Sequence, residues 1–262
     1  MSSKLIDSGL IMRERLASRN RGFHERFSSA YTLGATTTLN STLTGSTPTA
    51  TIAANATGGG KLTLFTDTTV NNEAYAFSAL KLFIMAANQP VVVEGQMSWT
   101  EANTNKAGVV FGLASASPAG LLVNTTGAPI ATTNSAAYFY KLQGTLNWHA
   151  VVQIGTTQVD QDLTTLSNFP GIAATGVVPQ ATSDANEHVY TVSIVPQNST
   201  QAEAVFQIDG AFLYRKIFTY TGAVAMSAVV GIKNLNGTNA ETLVVSDLFA
   251  LQQCLPVTAL QV

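Results

Sequence analysis

The chain offers little for catalysis or metal binding beyond three histidines, one cysteine and a thin scatter of carboxylates. His24, His149 and His188 are far apart, and none stands at metal-ligand spacing from another His or Cys. His149, beside Trp148 on a strand, reads as an edge or half-buried residue. Cys254 is alone, which excludes an intrachain disulfide and builds no metal site by itself. A glycosidase pair needs two carboxylates facing one another across a sugar. Glu94 and Glu101 fall on opposite sides of a strand end instead. No G-x-S-x-G elbow occurs, and Gly58-Gly59-Gly60 runs into Lys61-Leu62, not the Lys-Ser/Thr of a phosphate loop. Asp184, Glu187, Asp209, Glu241 and Asp247 have no spacing that specifies calcium and read as solvated turn carboxylates. These absences predict no enzyme, no catalytic residues, no metal and no cofactor. What the side chains do offer is recognition. Tyr138, Tyr140 and Trp148, with the long 115–135 loop, are candidates to stack on a sugar and hydrogen-bond its hydroxyls.

The totals point the same way. Only 11% of the 262 residues are charged and the net charge is −2. Thr, Ala, Asn, Ser and Gly stand where Lys and Glu usually do, a surface prone to association. No apolar run follows the first basic residue and none approaches membrane length, so the expectation is cytoplasmic synthesis with no membrane partner.

Residues 1–27 differ from the rest. Lys4, Arg13, Arg15, Arg19, Arg21 and Arg26 outnumber Asp7, Glu14 and Glu25, while the remainder of the chain is net acidic. Leu5, Ile6, Leu10, Ile11 and Leu16 keep a helical spacing, and Ser8 is placed to cap a helix from Gly9 to about Ser18. The pattern predicts an amphipathic, partly helical arm. A helix this short is marginal in water without a surface to bury its face. It either docks on its own body or reaches a partner. In the second case Leu5, Ile6, Leu10, Ile11, Arg13, Arg15, Leu16, Arg19, Arg21, Phe23 and Phe27 are the contact residues. Interleaved acids and the lack of a basic body argue against nucleic acid.

Residues 28–60 have the Thr/Ser/Gly-rich composition of a linker or loose strands. From 61 to 251 short strands follow one another, and 252–262 is an apolar tail. The clearest stretch is 187–218. Tyr190, Val192 and Ile194 alternate with polar neighbours, Ala204, Phe206 and Ile208 line one face, and Asp209-Gly210 predicts a two-residue hairpin turn before Phe212 and Tyr214. Val91, Val93, Met97 and Trp99 share one face of an earlier strand, with Gly95 marking a bulge or close approach. Gln143-Gly144 turns between 136–142 and 146–155, and 158–181 looks irregular. In the closing strand Thr242, Val244, Ser246 and Leu248 oppose Leu243, Val245 and Phe249. About a dozen short strands with turns between them predict an all-β antiparallel jelly-roll or sandwich.

Several pieces carry a resemblance. They are the arm, N-N-E-A-Y-A-F…K-L-F near 71–83, P-V-V-V-E-G-Q-M-S-W-T-E-A at 90–102, F-Q-I-D-G at 206–210, M-S-A-V-V-G-I-K-N at 226–234 and E-T-L-V-V-S-D at 241–247. Together they resemble tailed-bacteriophage virion proteins with a concanavalin A-like, laminin G-like jelly-roll, over roughly residues 60–250. That resemblance implies a capsid cement or decoration protein on the outer surface of the virion. It would be clipped by its arm to the major capsid protein and would contact itself as a dimer or trimer. The alternative it leaves open is a lectin-like module that binds a glycan for host attachment, on head or tail.

Overall fold

The computed structural model describes residues 20–27, 33, 39–45, 47–53, 60–78, 81, 83–85, 89–100, 106–115, 120–130, 134–155, 157–165 and 185–253. These form two antiparallel sheets packed face to face. The first runs, from edge to edge, β14 (Ala211–Thr219), β13 (Gln201–Ile208), β12 (His188–Pro196), β7 (Val91–Thr100), β16 (Thr242–Gln253), β4 (Lys61–Phe65) and β3 (Thr49–Ala53), with β1 (Asn20–Glu25) also on β16. The second runs β11 (Thr157–Asp162), β10 (Trp148–Gly155), β9 (Asn134–Lys141), β8 (Ala107–Ala114), β15 (Val224–Asn234), β5 (Glu73–Ser78) and β2 (Leu39–Thr44), with β6 (Phe83–Met85) on β15. Leu163–Thr165 makes a single 3-10 turn.

Alternation is what puts the sheets together. Val91, Val93, Met97, Trp99, Tyr190, Val192, Ile194, Ala204, Phe206 and Ile208 point from the first sheet into one core with Val109, Phe111, Leu113, Phe139, Trp148 and Val230 from the second. Aromatic rings lock the layers: Phe139 meets Phe206 at 5.2 Å and Tyr190 at 5.7 Å, and Trp148 meets Tyr190 at 5.1 Å and Trp99 at 6.0 Å. Gly95 marks the close approach its sequence position suggests, since a Cβ there would stand 2.5 Å from the Phe111 ring. The Asp209-Gly210 turn forms as expected. Asp209 at φ 52° and Gly210 at φ 75° join β13 to β14.

Two irregularities shift faces from the sequence pattern. A register change between Val245 and Asp247 adds a residue to β16. Leu248 and Ala250 therefore join Leu243 and Val245 in the core, and Phe249 turns outward against His24 at 5.7 Å. A second change, opposite Phe206 and Gln207, buries Leu213 and leaves Phe212 at 55% exposure. β11 is a regular strand where the sequence reads as irregular, and β2 and β3 lie within 28–60.

The arm expectation is corrected at its C-terminal end. Residues 20–25 are a strand of the body, paired antiparallel with 248–253. Phe23 packs on the core, 6.4 Å from Phe83, and Phe27 is 1% exposed within it. Phe23 serves its own subunit because an antiparallel neighbour of β16 must turn alternate residues inward, and Phe27 enters the core two residues beyond the strand's end. Arg21 sits in that strand opposite Gln252. Leu5, Ile6, Leu10, Ile11, Arg13, Arg15, Leu16 and Arg19, and the tail from 254, lie outside the described residues.

The middle of the second sheet's outer face is also buried, which explains why every residue of β8 is. Tyr75, Val110, Ala114, Ala136, Tyr138, Tyr140, Val151 and Val229 form a second apolar cluster with Leu121 and Leu122 of the 120–130 loop. That loop is a small folded unit: Val123 N–H donates to Ala128 O at 2.7 Å and Ile130 N–H to Leu121 O at 3.0 Å. Its anchor is a buried ion pair. Lys233 Nζ lies 3.2 Å from Glu73 Oε2 and donates to Leu122 O at 2.9 Å, and Glu73 Oε1 accepts from Gly120 N–H at 3.1 Å. Removing one partner leaves a buried charge uncompensated, which costs roughly 3–5 kcal/mol. Lys233→Met should therefore lower unfolding free energy by about that amount in chemical denaturation. The double change Lys233→Met with Glu73→Leu should recover much of the loss, because no lone charge remains.

Candidate functional site

The 120–130 loop does not cover the whole outer face. Toward the β11 edge the face becomes polar. Alternation on β11 sends Gln158, Asp160 and Asp162 outward and Thr157 and Val159 inward, and the antiparallel register sets Asp162 opposite His149 and Asp160 opposite Val151. On the other side of β10, Tyr140 faces His149 and Tyr138 faces Val151. The result is a patch in which an imidazole lies between a phenol and two carboxylates. The His149 and Tyr140 rings are 5.1 Å apart at 38°, His149 Nδ1 is 3.4 Å from Asp160 Oδ1, and His149 Nε2 is 3.9 Å from Asp162 Oδ2. His149 is nearly buried at 9% side-chain exposure, while Asp160 at 39% and Asp162 at 28% reach solvent.

Asp162 is held as a carboxylate. Burial alone would raise its pKa, but hydrogen bonds from the Thr164 hydroxyl (2.7 Å), the Asn147 amide (3.0 Å) and Thr164 N–H (2.9 Å), with His149 nearby, bring it below the ordinary 3.8. Burial, and then Asp160, push the Tyr140 hydroxyl far above its ordinary value, and burial does the same to Tyr138. Both phenols stay protonated in neutral solution and cannot serve as bases there. The patch can accept hydrogen bonds from hydroxyl groups through Asp160 and Asp162. Asn147 and Thr164, which already bind Asp162, fix the carboxylate's direction.

The expected stacking platform is corrected. Tyr138, Tyr140 and Trp148 are 1%, 0% and 1% exposed. Trp148 points between the sheets, whereas Tyr138 lies under the loop, its hydroxyl 3.4 Å from Leu121 O. Their faces are spent on packing, so none can meet a sugar ring. Asp160, Asp162, Asn147 and Thr164 were not candidates, although Q-V-D-Q-D at 158–162 carries the period-two polar alternation that marks them.

The other carboxylates scatter. Glu94 stands on the outer face of the first sheet and accepts from Thr191 at 3.3 Å, and Glu101 and Asp184 lie outside the described residues. Glu187 accepts from Gln96 at 2.9 Å and from the Ser246 hydroxyl, Asp209 meets His188 Nδ1 at 2.6 Å, and Asp247 meets His24 Nε2 at 2.9 Å. Among the described residues no three His, Cys, Asp or Glu gather to hold a metal ion.

No family model matches the sequence, and no curated protein matches it. Solved structures do match in fold. The Emp47p carbohydrate recognition domain aligns at a TM-score of 0.52 and 7% identity, covering 89% of this chain and 95% of that one. A protein of unknown function from Shewanella oneidensis MR-1 aligns at 0.51 and 12% identity, covering 89% and 87%. An endo-beta-1,4-glucuronan lyase from the fungus Trichoderma reesei aligns at 0.50 and 9% identity, covering 88% and 94%. At such identities the likeness is one of architecture: the chain is an all-β, two-sheet sandwich of the lectin-like jelly-roll class. A recognition domain and a lyase share that architecture, so chemistry has to be argued from the site.

The lowered Asp162 pKa makes a pH prediction. Its folded-state value is below the unfolded one, so its contribution to stability is complete above 3.8 and disappears as pH falls through the folded value. Asp162→Asn should flatten the acid limb of a stability-versus-pH curve measured by urea unfolding. Part of the limb should persist, since Asp67, hydrogen-bonded by Thr69, Thr47 and Asn72 against the opposing effect of burial, is lowered too.

Proposed function

We propose that this chain is a lectin-like carbohydrate-binding module whose glycan site is the polar rim of the second sheet at Asp160 and Asp162. The observation that carries this reading is the convergence of two partly exposed carboxylates at the β11 end of the second sheet's outer face, beyond the described 120–130 loop, one of them oriented by Asn147 and Thr164. Carboxylates fixed in this way suit paired hydrogen bonds to neighbouring sugar hydroxyls, the charge-assisted kind that are stronger than neutral ones. The fold shared with a carbohydrate recognition domain supports the same reading.

A second reading, a virion surface or cement protein bound to a major capsid protein and made in the host cytoplasm, is supported by the sequence resemblance. It would use the outer face of the first sheet, where Val92, Val205, Phe249 and Leu251 are half-exposed and Ile217 is 58% exposed. The two roles are compatible in one protein.

A panel of neutral oligosaccharides titrated by isothermal calorimetry should yield a binder whose affinity falls roughly tenfold or more in Asp160→Asn with Asp162→Asn, the scale expected for hydrogen bonds to a charged group. An undiminished Kd in the double variant would rule the site out. Particle fractions carrying the chain in stoichiometric copy number would speak for the second reading.

A further inference from the structure

A cleft of about 430 Å³ opens where the edges of the two sheets part, between β11 and β14. Its walls are the inward faces of those strands and their neighbours: Val152, Ile154 and Val159 on one side and Phe218 on the other. Exposed Ile217 forms part of the lip. The volume falls within the range of small-molecule sites, and at ~30 Å³ per water-sized group it has room for roughly a dozen methylenes.

Among the described residues, Lys216 is the one charged side chain that lines the cleft, and no acid does. Among the described residues Lys216 has no ion-pair partner. Its neighbour Arg215 points to the opposite face, where it is satisfied by Glu203 at 2.5 Å. The contrast follows from alternation along β14, which sends Arg215 outward and Lys216 inward. Walls of Val, Ile and Phe would strand the hydroxyls of a sugar without partners. A wholly apolar guest would leave the ammonium unused. A guest with a hydrocarbon body and one anionic end satisfies both surfaces. The remaining polar lining is Thr157 on the β11 side and Gln201, Thr219, Tyr220 and Thr221 toward the end of β14, which add hydrogen-bonding groups around the head of such a guest.

We propose that the cleft between β11 and β14 binds an amphipathic carboxylate, with its hydrocarbon part along Val152, Ile154, Val159 and Phe218 and its head group on Lys216. This site is separate from the glycan rim. Val159 faces the cleft and Asp160 the outer surface of the same strand, so either site can fail alone.

The test uses the full chain and two probes with one tail, dodecanoate and dodecyltrimethylammonium, both below their micelle concentrations and followed by calorimetry. Dodecanoate should bind at one equivalent and the ammonium should bind at least tenfold more weakly. Shortening the carboxylate should cost about fourfold per buried methylene removed. Lys216→Glu should invert the preference between the two probes. Thr157→Trp, at the exposed rim, should block both while leaving the thermal midpoint unchanged. Equal binding of the two probes to the parent chain, or dodecanoate affinity indifferent to both substitutions, would overturn the proposal.

Discussion

The interlock of aromatic rings between the two sheets is the constraint on which the rest depends. Phe139 and Trp148 of the second sheet insert among Trp99, Tyr190 and Phe206 of the first, edge to face, at centroid distances of 5.1–6.0 Å. Such contacts add to area burial because the ring edge of one partner meets the electron-rich face of another. They also set register. A slip of one residue in β9 or β10 would turn Phe139 or Trp148 outward and bring Tyr138 or His149 into the core.

With the inner faces fixed, the alternation of the same strands determines what the outer face of the second sheet carries. Tyr138 and Tyr140 are outward because Phe139 is inward, and they are apolar enough to require a cover. The 120–130 loop supplies it, held down by Glu73 and Lys233. The loop's length, unusual for a simple connection, is thus accounted for by burial. Among the described residues the β11 end of that face is partly open, and there the side chains are Asp160, Asp162, Asn147 and Thr164. The same edge strand lines, with its other face, the apolar cleft beside Lys216. Both candidate sites arise because one strand presents opposite chemistry on its two sides.

Much of this arrangement was legible from residue pattern. The Asp209-Gly210 hairpin, the inward faces of β7, β12 and β13, and the tight fit at Gly95 all follow from period-two alternation and local turn chemistry. The misreadings have physical causes. One inserted residue in β16 exchanges Leu248 for Phe249 between core and surface, and a bulge of that size leaves no mark in composition. Tyr138, Tyr140 and Trp148 look like a stacking platform because an aromatic residue has the same identity whether it is wet or dry. Phe23 and Phe27 look like part of a detachable arm because strand β1 is recognisable only through its pairing with β16, more than two hundred positions away in sequence.

Taken alone, then, the sequence determined the class of the molecule: β-strands with one apolar side each, joined by turns, and few charges. Those properties are local, fixed by backbone sterics and by the two-residue repeat. Which aromatics are buried between and outside the sheets, which carboxylates meet at the β11 rim, and where a lysine faces an apolar cleft were decided only by tertiary structure. Each depends on long-range register and on a loop packing over a sheet, and no spacing along the chain encodes the distance between Asp162 and His149 or between Lys216 and Val159.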